Sequence, residues 1–277
     1  MSRKLVLLGI ALALVPSVRA QEPKAAASKA AAPKEAPPIA DNSFLMEEAY
    51  NQEYGVVQHI SAFQRSREGQ WVYAFTQEWP APNQKHQLSY TVPVLHLDGV
   101  KTGVGDVAIN YRYQAVGADD EPLWFSPRLS VYLPTGNANS GRGAGGLGVE
   151  VNLPVSYALS EKLVTHWNAG GSFTRLQSTL GGRGSSRGLR GGVSAIWLLA
   201  PTFNVMLESV ASRIELVDSQ GRSDVSTNYV VSPGVRGAIN FRSGLQIVPG
   251  IAVPIGVGAS SGQRDLFLYL SFEHPFR

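Results

Sequence analysis

The sequence predicts an all-β fold, a transmembrane antiparallel up-and-down β-barrel of about twelve strands, and three observations carry that expectation. From Tyr54 onward the chain runs as segments rich in Val, Tyr, Phe, Trp, Ile and Thr, parted by clusters of Gly, Asn, Asp, Ser and Pro. Within the segments apolar and polar residues alternate with a period of two, giving each strand one oily face and one polar or small face. Many segments exceed the roughly five or six residues usual in soluble proteins and suit a tilted bilayer crossing of about 9 to 11.

The N-terminal residues set the compartment. Arg3 and Lys4, the apolar run 5–15 and the small residues around Val18-Arg19-Ala20 have the three parts of a secretory leader, so cleavage of residues 1–20 before Gln21 is expected. The run is shorter than the roughly 20 residues of a transmembrane helix. The chain has no cysteine, which excludes a lipidated Cys at the cleavage site and any disulfide framework. Three of the 24 Lys and Arg leave with the leader, so the remainder balances its 21 Asp and Glu. A balanced chain lacks the net basic character that nucleic-acid binding wants, and no nucleic-acid partner is expected. Residues 21–43, dominated by Ala, Pro and Lys, read as a flexible linker. Residues 44–277 are assigned to the barrel, with Phe44-Leu45-Met46-Glu47-Glu48-Ala49-Tyr50 expected as one or two helical turns tucked beneath it.

The strands are expected, in order, at 54–65, 70–79, 86–97, 104–116, 123–135, 148–159, 162–176, 187–200, 202–216, 226–241, 244–256 and 264–276. Alternation is cleanest in the sixth, where Val149, Val151, Leu153, Val155, Tyr157 and Leu159 share a face. In the second half, tight turns at 160–161, 201 and 242–243 alternate with longer polar connections at 136–147, 177–186, 217–225 and 257–263. That alternation fits short periplasmic turns and longer external loops. Trp71, Tyr73, Phe75, Tyr111, Tyr113, Trp167 and Phe173 fall on oily faces, several near strand ends where an aromatic girdle would lie. The last segment puts Leu266, Leu268, Leu270, Phe272, His274 and Phe276 on one face. It is similar to the C-terminal strand signal of outer-membrane proteins, except that Arg277 follows the aromatic residue. Outer-membrane lipid and the outer-membrane assembly machinery are the partners this implies, in the cell outer membrane of a Gram-negative bacterium.

With oily faces turned outward, Asp106, Asn110, Arg112, Arg128, Glu150, His166, Glu208, Arg236 and Glu273 turn inward. Charges on the lipid side would cost roughly 2–4 kcal/mol each at the midplane, so the lumen is their low-energy place. These nine are the candidate pore-lining residues. Either they orient a small solute in a passage or they pair across the lumen to fill and stiffen it, leaving a structural or surface-interaction barrel with a plugged lumen.

Enzymatic readings find less support. Gly143-Ala144-Gly145-Gly146-Leu147-Gly148 fits the dinucleotide pattern, but a strand alternation follows it where that motif requires a helix. His59, His86, His96, His166 and His274 show no metal-ligand spacing, and no metal or cofactor is expected. His166 and Ser172 share a face, yet no orienting partner or oxyanion loop accompanies them, which leaves a lipid-modifying barrel enzyme as the third reading.

Gly103-Val104-Gly105-Asp106-Val107, then Pro127-Arg128-Leu129-Ser130-Val131-Tyr132-Leu133-Pro134-Thr135-Gly136, then Leu153-Pro154-Val155-Ser156-Tyr157 carry a family resemblance. Over residues 44–277 the chain resembles the transporter-like outer-membrane barrels grouped with the MetA pathway of phenol degradation. The resemblance implies a barrel that passes small, including aromatic, solutes, and it implies no catalytic residues.

Overall fold

A computed structural model describes residues 38–118, 121–178 and 182–275. The leader, residues 21–37 of the linker and Phe276 lie outside the described residues. Twelve barrel strands follow one another. They are β1 (Val56–Ser66), β2 (Trp71–Pro80), β3 (His86–His96), β4 (Gly103–Val104 and Val107–Tyr113), β5 (Leu123–Phe125 and Arg128–Leu133) and β6 (Gly145–Ser160). Then come β7 (Leu163–Ser178), β8 (Gly182–Ala200), β9 (Phe203–Val217), β10 (Ser223–Gly237 and Ile239–Asn240), β11 (Gln246–Ala252 and Ile255–Gly256) and β12 (Asp265–Pro275). Each pairs antiparallel with its sequence neighbours, and β12 pairs with β1 from Val56↔Pro275 to Ser66↔Asp265, so the sheet closes on itself. Closure removes both edges and satisfies the backbone internally, as a bilayer demands.

Two of the breaks have a sequence cause. Pro127 and Pro254, which lack an N–H, sit in the gaps of β5 and β11. The period-two pattern resolves into an inside and an outside: Val149, Val151, Leu153, Tyr157 and Leu159 are exposed, each 40% or more, while Ser130, Ser156, His166 and Glu208 are fully buried. An exposed apolar belt on a closed sheet is the surface a lipid phase covers.

The connection expected at 177–186 is shorter, because β7 runs to Ser178 and β8 starts at Gly182. Likewise β6 begins at Gly145 and β10 at Ser223, inside the expected loops. These strand ends are dominated by Gly, Ser and charged residues, with at most one apolar residue in the part that extends each strand, so no apolar period marks them in the sequence although their backbones pair.

The larger difference concerns residues 38–52. The expected helix at 44–50 is absent: this stretch is a series of bends, and every residue from 39 to 52 is buried. It lies inside the barrel, not beneath it, and residues 39–43, expected as linker, belong to the same buried segment. A helix does not form because side chains of the barrel wall take the backbone groups an α-helix would pair internally, as the next section sets out.

Candidate functional site: the lumen and its inserted segment

The inserted segment enters at the tight-turn end, where the Ile39 amide donates to Pro201 O at 2.7 Å. Asn204 then donates to Ala40 O at 2.6 Å, His166 Nε2 meets Asp41 O at 2.8 Å, and Arg236 donates to Asn42 O at 2.7 Å. Glu208 receives the next turn: one carboxylate oxygen accepts from the consecutive amides of Phe44, Leu45 and Met46 at 3.2, 2.7 and 3.0 Å. Arg190 donates to Leu45 O. The segment then crosses to the opposite wall and descends. Asn168 brackets Glu47, accepting from its amide at 2.9 Å and donating to its carbonyl at 2.8 Å. The Ala49 amide donates to Ser156 Oγ at 2.7 Å, and Asn51 reaches Gln84 O at 2.9 Å beside the turn between β2 and β3. The path is a loop that rises into the lumen and returns to the end it entered.

Two ion pairs fasten the descending half, Arg128 to Glu47 at 2.7 Å and Arg112 to Glu48 at 3.3 Å. Arg128 also binds Glu150 at 2.6 Å, whose other oxygen accepts from Tyr132 at 3.1 Å. Arg112 and Arg128 are direct cross-strand partners, so two guanidinium groups stand at one height and meet two consecutive acids of the segment. The ascending half adds apolar packing to its hydrogen bonds. Ile39, Phe44, Leu45 and Met46 pack with Ile60, Ile196, Met206, Val248 and Phe267 of the wall. Phe44 lies 5.1 Å from the Phe267 ring and 5.4 Å from that of Tyr269. Glycine makes the socket: a Cβ on Gly250 or Gly234 would stand 2.6 or 2.9 Å from the Phe44 ring.

Of the nine residues expected to face inward, eight are buried, and Glu150 is partly exposed at 19%. Arg112, Arg128, His166, Glu208 and Arg236 converge on the inserted segment. The other four engage the wall itself: Asp106 accepts from the Gly136 and Ala144 amides, Asn110 donates to Ser89, Glu150 holds Arg128, and Glu273 accepts from Gln58. His166 pairs with Ser156 at 2.7 Å rather than with Ser172, and both are sealed beneath the segment. Sequence reasoning missed Asn168, Arg190, Asn204 and the aromatic socket. The signals present were the glycines inside strands and the apolar triplet Phe44-Leu45-Met46 ahead of the first strand.

Toward the long-loop end the lumen opens into two adjoining pockets. Leu45, Arg190 and Ser212 line both, so the top of the inserted segment is their shared floor.

The fold and lumen define a closed twelve-stranded barrel with an apolar exterior, occluded by its own N-terminal segment. No family model and no curated protein matches the sequence. Among solved structures, the chain is similar to the COG4313 outer membrane channel from Pseudomonas putida F1, with a TM-score of 0.58 at 10% identity, covering 82% of this chain and 98% of that one. The NanC porin aligns at a TM-score of 0.49 and 8% identity over 80% of this chain and 99% of its own. At such identity the first likeness shows the barrel fold alone, and function has to come from the lumen.

Proposed function

We propose that the protein is an outer-membrane channel for small solutes whose lumen is closed at rest by residues 39–52, with the cavities beyond them receiving the solute. The observation that carries this reading is the polarity of the wall the segment covers. Ser126, Ser130, Asn152, Ser156, Ser194, Asn204 and Ser232 are all buried, whereas a barrel filled only for stability is served as well by apolar side chains. Among the described residues the hydroxyls of Ser130, Ser194 and Ser232 find no protein partner, which suits a wall that meets water. The family resemblance adds aromatic compounds as candidate solutes.

A reversible tether tests it. Ala49→Cys with Ser156→Cys sets two thiols where the Ala49 backbone amide meets Ser156 Oγ at 2.7 Å, in a chain that has no other cysteine. Solute flux into vesicles is expected when the pair is reduced and lost when it is oxidised. Equal flux in both states rules out movement of the segment as the route. No flux in either, for aromatic or aliphatic solutes, leaves the plugged structural barrel.

A further inference from the structure

The outer face of β7, β8 and β9 is uncharged over most of its height. It reads Leu163, Thr165, Trp167, Ala169, Gly171 and Phe173 on β7; Leu199, Trp197, Ala195, Val193, Gly191 and Leu189 on β8; and Phe203, Val205, Leu207, Ser209 and Ala211 on β9. The next outward residue on each strand is an arginine: Arg175, Arg187 and Arg213, all exposed. Their flanking residues Thr174, Ser186, Gly188, Ser212 and Ile214 line the inner cavity, which fixes the arginines on the opposite face.

The three share a level. Ser185 pairs with Arg175 and Leu189 with Arg213, so each neighbour is displaced two residues from Arg187 along its own strand, up on β7 and down on β9. Strand tilt makes that diagonal horizontal. Leu163 at the foot of β7 pairs with Trp197, while β8 continues to Ala200 before turning, so a line at constant height steps down β8 relative to the pairing row. Strands rising about 3.3 Å per residue and tilted about 40° climb roughly 2.5 Å per residue, which sets the arginines about 25 to 32 Å above the tight turns. The apolar band of such barrels is about 25 Å tall, so the guanidinium groups stand where headgroups begin. Glu215, opposite Arg187, is the acid on this face, and no ion pair engages the three arginines among the described residues.

We propose that Arg175, Arg187 and Arg213 form a binding surface for the phosphates of an outer-leaflet glycolipid. The inference rests on the outer-membrane reading above. Guanidinium forks match phosphate oxygens in bidentate fashion, and three at one level on adjacent strands can grip a headgroup carrying more than one phosphate.

The test uses the full chain in phosphatidylcholine vesicles with and without diphosphorylated lipid A, reading flotation and then lipid retained after extraction by native mass spectrometry. Wild type is expected to float with both vesicles and to retain lipid A. Arg175→Gln/Arg187→Gln/Arg213→Gln is expected to float equally but to bind lipid A about tenfold more weakly or worse. Arg65→Gln, an exposed arginine on the far side of the barrel, should retain it like wild type. Undiminished retention by the triple variant, or equal loss in Arg65→Gln, overturns the proposal. Should the triple variant not insert, Arg187→Gln alone must still weaken retention, and unchanged retention overturns it. A wild type that floats yet binds no lipid A refutes this surface alone; one that floats with neither vesicle refutes the outer-membrane reading and this surface with it.

Discussion

The lumen has two walls; both hydrogen-bond the inserted segment, but one adds an apolar socket and the other adds ion pairs. On one side β8, β9, β11, β12 and β1 present Ile196, Met206, Val248, Phe267 and Ile60 to Ile39, Phe44, Leu45 and Met46. On the other, β4 to β7 offer Arg112, Arg128, Ser156 and Asn168 to Glu47, Glu48 and Ala49. Apolar burial is non-directional and survives changes of pairing, whereas buried ion pairs stabilise only while both partners remain. Under the proposed function, the half without an apolar anchor is expected to release first: its polar groups can exchange protein partners for water, while the other half also has the Phe44 socket to hold it.

Charge reversal on the polar wall should have the largest effect. Arg112→Glu with Arg128→Glu sets two new carboxylates against Glu47 and Glu48 in buried positions. Breaking one buried pair costs roughly 3–5 kcal/mol. The polar half is therefore expected to leave the wall, raising conductance in planar bilayers while the barrel itself stays folded. Conductance unchanged from wild type in a folded variant would show that these pairs do not hold the closure.

Glu208→Ala comes next and lies on β9, within the apolar wall. It strips the shared acceptor from three consecutive amides, each buried donor left unpaired costing about 1–3 kcal/mol, less what water recovers. Hydrogen exchange at Phe44, Leu45 and Met46 should accelerate by two orders of magnitude or more, with strand amides unaffected. Phe44→Ala follows on the apolar wall, with an expected loss of about 3 kcal/mol in segment docking. Exchange should then rise at residues 39–46 before it rises at Glu47–Gln52; the reverse order would contradict an apolar anchor.

Much of this fold could be read from the sequence, because a strand between lipid and lumen must alternate. Val149 through Leu159 and Leu266 through Phe272 obey that rule, and the strands were placed by it. It fails where the outer face leaves the lipid: Gly182, Arg183 and Gly184 lie on a paired strand with nothing apolar to mark it. The inward charges were legible by the same parity, but their partners were not. Glu47 and Glu48 precede the first strand, and no local pattern says that a segment rich in backbone donors will be threaded through a closed sheet. The inner apolar patch was equally hidden, since Phe267 and Tyr269 sit on the face parity assigns to polar residues.

The smallest effect should come from the socket itself. Gly250 lies inside β11 without a positive φ, so alanine fits its backbone, and what resists it is chiefly the Phe44 ring 2.6 Å from the added Cβ, with Arg236 Cγ at 3.1 Å. The ring is fully buried and flanked by Phe267 and Tyr269, so it cannot rotate away freely. Overpacking of this kind costs about 1–3 kcal/mol. Gly250→Ala should therefore loosen residues 42–46 modestly, seen as faster exchange there and little change in conductance. Phe44→Leu made on that background should recover part of the loss, because the shorter side chain vacates the space the methyl enters. Coupling of opposite sign, or none, would mean that the glycine serves the strand rather than the segment, and the apolar anchor would then rest on the wall's aliphatic residues alone.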